Sequence, residues 1–300
     1  MKIITTHINK PPRIVIYGVH GIGKSTFGSE CPKPIFIQTE SGLDALGVEA
    51  FELATNYEQV LQALEYLIDT EHQYQTVVVD SLDWLEKLIF QHVARMKGVT
   101  DISEIPFGRG YVAAENEWKL ILDRLNILND RKKMLVLLLA HAQIKRFEAP
   151  DTESYDRYQL DLRASTAALM FEYSDIVGFA RYRTITQTDK AGFTSVTKAK
   201  SDGSRILHLE ERPAYSAKNR YRLPHTMPFG WAHLSVELKK AVAECKERVK
   251  GNLADVVAEK SASDLKKISG KKAPNAKVED DAEVPEATVE TVTEFDNNVN

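Results

Sequence analysis

The chain has only two cysteines in 300 residues, Cys31 and Cys245, which excludes a disulfide framework and predicts reduced thiols. It also lacks any apolar run long enough to cross a bilayer, since Met134–Ala140 has the length of a buried strand. Met1–Pro12 has no apolar core of the signal-peptide kind. Together these absences predict a cytoplasmic protein without membrane contact. Positive charge is missing from the end of the chain: eight acidic residues follow Lys277 and no Lys or Arg does. The net charge of −4 therefore hides a mildly basic body, in which 39 basic residues stand against 35 acidic ones. Such a body with an acidic tail is compatible with a polyanionic ligand and equally with an ordinary enzyme.

What is present is an alternation of apolar strands and amphipathic helices, without internal repeats. Strands are predicted at Arg13–Tyr17, Pro34–Gln38, Gln75–Asp80 and Met134–Leu139. Helices are predicted at Lys24–Glu30, Tyr57–Asp69, Leu82–Met96 and Tyr111–Asn129. Cys31-Pro32 stops the first of these helices. This order predicts an α/β fold with a doubly wound, mostly parallel sheet. Ile144–Arg163 reads as irregular, Ser174–Leu209 as short β segments and Leu234–Lys250 as a terminal helix. The domain reading is a core over 1–232, a C-terminal helix over 233–260 and a disordered tail over 261–300, acidic after Lys277.

The strongest local signal is Gly18-Val19-His20-Gly21-Ile22-Gly23-Lys24-Ser25, a G-x-x-x-x-G-K-S loop between a predicted strand and a predicted helix. Its glycines let backbone N–H groups turn inward around phosphate oxygens. Lys24 would reach the β- and γ-phosphates, Ser25 would ligate Mg²⁺ and Thr26 would assist. Asp80 ends an apolar strand and fits the second magnesium-holding position, although a helix N-cap uses the same residue type. The glutamate that often follows such an aspartate is replaced by Ser81, so the base that orients water must come from elsewhere. Glu40, just past the second strand, lies where open α/β sheets place their ligands. No N-K-x-D motif follows a strand, which favours ATP over GTP.

With these residues placed, Arg13 to Gly230 resembles the RecA-like P-loop ATPases, and among them the phage-encoded RecA-like ATP-binding proteins of single-strand annealing and recombination. The resemblance rests on the P-loop, Thr39-Glu40-Ser41-Gly42-Leu43-Asp44, Val77-Val78-Val79-Asp80-Ser81, His141-Ala142-Gln143-Ile144-Lys145 and Lys218-Asn219-Arg220. It implies ATP and Mg²⁺ as cofactors, a catalytic role for Glu40 beside Lys24, and γ-phosphate sensing by Gln143 with His141 as a possible accomplice. It implies that Lys218 and Arg220 reach the ATP of a neighbouring subunit, so that the protein is a homo-oligomer with ATP at its interfaces. Single-stranded DNA is the implied partner, with a single-strand-binding protein a further one. The chain begins about a dozen residues before its first strand, so the N-terminal helix that packs RecA subunits into filaments is not expected.

The resemblance places DNA-binding loops at Lys97–Gly110 and Ile144–Arg163. The first offers Phe107, Arg109 and Tyr111, a basic and aromatic cluster suited to backbone contact and base stacking. The second offers Lys145 and Arg146, but its four basic residues face five acidic ones. A larger basic excess lies in Arg181–Arg222, ten basic residues against four acidic, which makes Arg181 and Arg183 candidates for phosphate contact. The leading expectation is a DNA-stimulated ATPase. The alternative is an ATPase switch acting on a protein partner, and a small-molecule kinase comes third.

Overall fold

The structure is a computed structural model that describes residues 8–148, 153–183, 185–191, 194–200 and 202–269. The chain divides into a larger unit, Ile8–Glu244, and a smaller one that takes up the chain again at Cys245.

The larger unit is built on a sheet of β1 (Arg13–Gly18), β2 (Pro34–Gln38), β3 (Thr76–Asp80), β4 (Leu135–Phe147), β5 (Tyr155–Leu160), β6 (Ile176–Tyr182), β9 (Arg205–His208), β10 (Lys218–Asn219) and β11 (Thr226–Pro228). The strand order is β11-β9-β6-β1-β4-β3-β2, with β5 paired to β4 and β10 to β6. The run from β6 to β2 is parallel throughout, and β9, β10 and β11 add antiparallel pairing at one edge. A separate hairpin joins β7 (Ile185–Ala191) to β8 (Thr194–Lys200).

The helices are α1 (Lys24–Ser29), α2 (Tyr57–Asp69), α3 (Leu82–Met96), α4 (Arg109–Arg131), α5 (Ala164–Tyr173) and α6 (Trp231–Ser269). Successive strand side chains point to opposite faces, so the apolar runs split into two cores. Val15, Ile37, Val79 and Leu138 pack with α2, α3, α4 and α5 on one face. Ile14, Phe36, Val78 and Leu137 pack on the other, with Phe27 of α1 and with Leu234, Leu238 and Ala241 of α6. This is the doubly wound, mostly parallel arrangement that the alternating sequence predicts.

Several segments differ from expectation. The described residues of 144–163 are largely strand rather than irregular: β4 continues to Phe147 beyond the parallel core and pairs antiparallel with β5, with Ile144 opposite Tyr158 and Phe147 opposite Tyr155. Pairs of charged residues, Lys145-Arg146 and Asp156-Arg157, separate the apolar ones, so neither an apolar run nor a two-residue alternation announces the strands. Helix α5 went unanticipated because its ten residues are too few and too evenly apolar for a clear helical period. Lys97–Gly110 holds two 3-10 turns, Ile102–Glu104 and Pro106–Gly108. Strand β6 joins the parallel core beside β1 rather than a separate β region. Helix α6 begins at Trp231 and runs to Ser269, past Lys250 and past the expected boundary at 260, so residues 261–269 are helical rather than part of a disordered tail, because good helix formers continue and no proline interrupts them. Its start packs with the core rather than forming a segment of its own. The acidic stretch after Lys277 lies outside the described residues.

Trp118 of α4 is fully buried in the core on the α2–α5 face. Trp118→Ala is expected to cost about 3–5 kcal/mol of unfolding free energy in urea titration, through lost burial and the cavity left behind.

Candidate functional site

The loop after β1 carries positive φ at Gly21 (72°) and Gly23 (97°), the left-handed conformation that favours glycine. A Cβ on Gly18 would lie 2.4 Å from the Ala180 carbonyl oxygen, so the strand leading into the loop also needs glycine. Helix α1 is only six residues long, so inward-turned loop amides and Lys24 dominate any anion cradle here, more than a helix dipole. Lys24 is buried, with Nζ 3.4 Å from the carbonyl oxygens of Gly18 and Val19. Burial pulls its pKa below the usual value, while Asp80, Glu40 and Asp83 push it back up.

Ser25 donates its hydroxyl to Asp80 Oδ2 at 2.6 Å. Asp80 is 2 % exposed, and its Oδ1 is buried without a hydrogen-bond partner. Burial raises the pKa of Asp80, and the Ser25 bond and Lys24 only partly offset it. A hydroxyl and an orphaned carboxylate oxygen are the hard oxygen donors that a magnesium ion takes, so these residues fit one.

Parallel register brings the other groups to the same edge. Gly18 is opposite His141, and Gln38 is opposite Asp80. Thr39 closes the junction: its hydroxyl donates to the Ser81 carbonyl at 2.8 Å and accepts from the Ser81 N–H at 2.9 Å. Glu40 follows at once, 3.8 Å from His141 Nε2. Burial raises the Glu40 pKa, His141 and Lys24 lower it, and Asp80 and Asp83 add to the rise.

Asp83, in the first turn of α3, holds His141 twice: Oδ1 accepts the backbone N–H at 3.0 Å and Oδ2 pairs with Nδ1 at 2.9 Å. Burial works against the Asp83 charge, but the His141 bonds outweigh it and its pKa is lowered. The carboxylate fixes the Nδ1–H tautomer and leaves Nε2 toward Glu40. Glu40, Asp83 and His141 have ligand-capable atoms within 4.8 Å of one another. Both Asp83 oxygens are already bonded to His141, so the group reads as an oriented histidine rather than a metal centre. His20 of the loop stacks on His141, with centroids 3.9 Å apart. Charge on His141, then burial, lowers the His20 pKa.

The other anticipated residues lie elsewhere. Gln143, two residues beyond His141, donates its amide to the carbonyls of Leu160 (2.7 Å) and Leu162 (3.2 Å). It lines a cleft of about 820 Å³ with Tyr111, Lys145 and Arg163. Arg163 lies over the Tyr111 ring at 3.7 Å, and Lys145 reaches the Leu162 carbonyl. Arg146 bonds Ser154 across the hairpin. Phe107 is 92 % exposed with Arg109 over its ring. Arg181 donates to His208 Nε2 at 3.1 Å, and burial, then Arg181, lowers the His208 pKa to about 4. Arg183 is exposed and pairs by its backbone with Ser204.

Lys218 and Arg220 sit at the opposite end of the parallel strands, because β10 pairs with Ile176 and Val177 whereas Gly18 meets Ala180. Lys218 caps α5 through the Phe171 and Glu172 carbonyls, and Arg220 pairs with Asp175 at 3.3 Å.

A sequence profile described as an AAA domain matches residues 10–221, which cover every strand from β1 through β10 and all of the groups above. The chain belongs to the AAA domain family. Among solved structures it is similar to the RadB recombinase, at 14% identity and a TM-score of 0.43, covering 74% of this chain and 88% of that chain. No curated protein matches it. No helix among the described residues of this AAA domain protein is long and apolar enough to cross a membrane.

Asp83, Tyr182 and Arg205 are the site residues that the sequence did not disclose. Tyr182 donates to the Gly21 carbonyl at 3.2 Å and Arg205 to the Ile22 carbonyl at 3.0 Å. No motif marks them, since each reaches the loop through tertiary pairing.

The raised pKa of Asp80 makes a testable statement about the nucleotide-free protein. The folded state holds this proton more tightly than the unfolded chain, whose value is near 3.8, so the stability it contributes is lost as pH rises through the folded value. Asp80→Asn is therefore expected to melt higher than wild type at pH 7 without nucleotide or Mg²⁺, with the gap closing below about pH 4. A variant that melts no higher at neutral pH would contradict the burial argument.

Proposed function

We propose that this chain binds and hydrolyses MgATP as a RecA-like P-loop ATPase, and that it works on single-stranded DNA in recombination, annealing or repair. The observation that carries the ATP reading is the Ser25–Asp80 bond with its orphaned Asp80 oxygen, set beside Lys24 and within the same strand-end cluster as Glu40 and His141. Gly18, Val19, His20, Gly21, Ile22, Gly23, Lys24, Ser25 and Thr26 would cradle the phosphates. Magnesium held by Ser25 and, directly or through water, by Asp80 would neutralise charge on the β- and γ-oxygens.

In this reading Glu40 orients the attacking water and accepts its proton. Its carboxylate faces the ring nitrogen of His141, which Asp83 holds in one tautomer. Lys24 stabilises negative charge that grows on the transferred phosphoryl group. His141 is better placed than Gln143 to read the γ-phosphate, because it lies beside the loop glycine and stacks on His20. Gln143 holds the β4–β5 hairpin through Leu160 and Leu162 and so links His141 to the cleft.

The DNA reading is supported by exposed Phe107 and Arg109, with Tyr111, Lys145 and Arg163 around the cleft. Arg146 and Arg183 extend the set, whereas Arg181 is committed to His208. Lys218 and Arg220 are proposed to act on a neighbouring subunit's nucleotide, since they lie at the wrong end of the sheet for their own. A protein partner in place of DNA is the competing reading, and the mixed charge of Ile144–Arg163 is what favours it.

The test is phosphate release from MgATP with and without single-stranded DNA over a salt series. DNA stimulation that weakens as salt rises is expected, because phosphate contacts release counterions. Glu40→Gln should lower kcat by roughly 10²–10⁴ while leaving nucleotide bound. Lys24→Ala should abolish turnover. Turnover indifferent to DNA, with no salt-sensitive DNA binding, would transfer the proposal to a protein partner.

A further inference from the structure

Two side chains from outside the P-loop grip it, and they are delivered by one strand pair. Tyr182 near the carboxyl end of β6 is opposite Arg205 at the start of β9. Their side chains donate to consecutive loop carbonyls, Tyr182 to Gly21 and Arg205 to Ile22. A carbonyl held from outside leaves the neighbouring peptide N–H groups to face the cradle.

Arg205 does more than such a brace requires. A Cβ built on Gly23 would meet its Nη1 at 2.4 Å and Thr26 Oγ1 at 3.9 Å. The guanidinium therefore lies against the turn that leads into Lys24. One hydrogen bond uses one of its five donors. Among the described residues no carboxylate pairs with it. Arg146, Arg163 and Arg181 share that lack among the described residues, so what sets Arg205 apart is its position against the loop. Its ring neighbour, Phe229, supplies packing and no compensating charge. An uncompensated guanidinium with spare donors beside an anion cradle is arranged for an anion.

We propose that Arg205 is a second cation of the nucleotide site, contributed by the same chain, which binds the phosphate groups that diphosphate and triphosphate nucleotides share. In the strand order β9 lies beyond β6 and β1 from the strands that carry His141 and lead to Glu40, so the contact strengthens nucleotide binding and does not serve the hydrolytic step. The register of β6 with β9 places it, and Gly23 leaves it room. The proposal rests on the ATP reading above and specifies how the nucleotide is held.

Isothermal titration of the full chain with MgADP, set beside thermal melting with and without MgADP, tests it. Arg205→Ala is expected to weaken MgADP binding roughly tenfold or more, the usual consequence of losing a charge-assisted contact. Arg205→Lys should recover most of that loss. The nucleotide-free melting temperature of Arg205→Ala should stay within about 2 °C of wild type, while the rise caused by MgADP shrinks. Unchanged MgADP affinity in Arg205→Ala would overturn the proposal. A loss that lysine does not restore, with an equal fall in nucleotide-free stability, would overturn it too and leave a loop brace. Wild type that fails to bind MgADP would instead sink the ATP reading itself.

Discussion

The hydrogen bond from Ser25 to Asp80, 2.6 Å long, joins the first turn of α1, just after the loop that follows β1, to the end of β3, although β4 lies between those strands. Such a reach is possible because β1 and β3 both run parallel to β4 and end at nearly the same height along it, Gly18 level with His141 and Asp80 with Leu139. Loop, aspartate and histidine then share one edge, and the pairing of β2 with β3 adds Glu40. Thr39 makes that last junction rigid by bonding both sides of Ser81. A one-residue slip of β4 against β1 would turn His141 to the opposite face and separate it from Asp83 and Glu40. The apolar runs that fill both cores are what prevent such a slip, so core packing and site geometry are one constraint.

That geometry concentrates charge. Asp80, Asp83 and Glu40 approach one another beneath a single buried lysine, and only Asp83 has its charge fully met, by His141. Burial raises the pKa of the other two carboxyl groups, which means their ionised forms cost the nucleotide-free fold some stability. A divalent cation and a polyphosphate would change the balance, the cation meeting Asp80 and the phosphates meeting Lys24. The unmet charge of Asp80 thus suits the ligand proposed for the site.

Sequence patterning disclosed the parts of the molecule whose cause is local. The P-loop is written in glycine spacing, and β2, α2 and α3 follow from apolar periodicity over contiguous residues. Asp80 and Glu40 were legible because a strand end is a recognisable place. Asp83 was not, because one acidic residue in the first turn of a helix is an ordinary helix-start feature, and its partner His141 is 58 residues away. Tyr182 and Arg205 were hidden for the same reason, being carried to the loop by the pairing of β6 with β9. The hairpin of β4 and β5 escaped because its strands project beyond the core, where no burial forces a period on the sequence.

Helix α5 connects features that the sequence left far apart. Its amino end follows Arg163, which lies over Tyr111 in the cleft, and its carboxyl end is capped by Lys218. Gln143 ties the same region to β4 through Leu160 and Leu162, two residues beyond the histidine that faces Glu40. For Lys218 to reach a neighbouring nucleotide it must leave the Phe171 and Glu172 carbonyls, and Arg220 must leave Asp175, which Arg13 also holds. A role in trans would therefore loosen one end of α5 while the other end borders the cleft. If Lys218 and Arg220 act in trans as proposed, cations at one end of the parallel strands and a nucleotide site at the other would make a head-to-tail contact, which closes into a ring or continues as a helix depending on its rotation. In either assembly, nucleotide state at one interface and the cleft of the adjoining subunit would be joined through ten residues of helix.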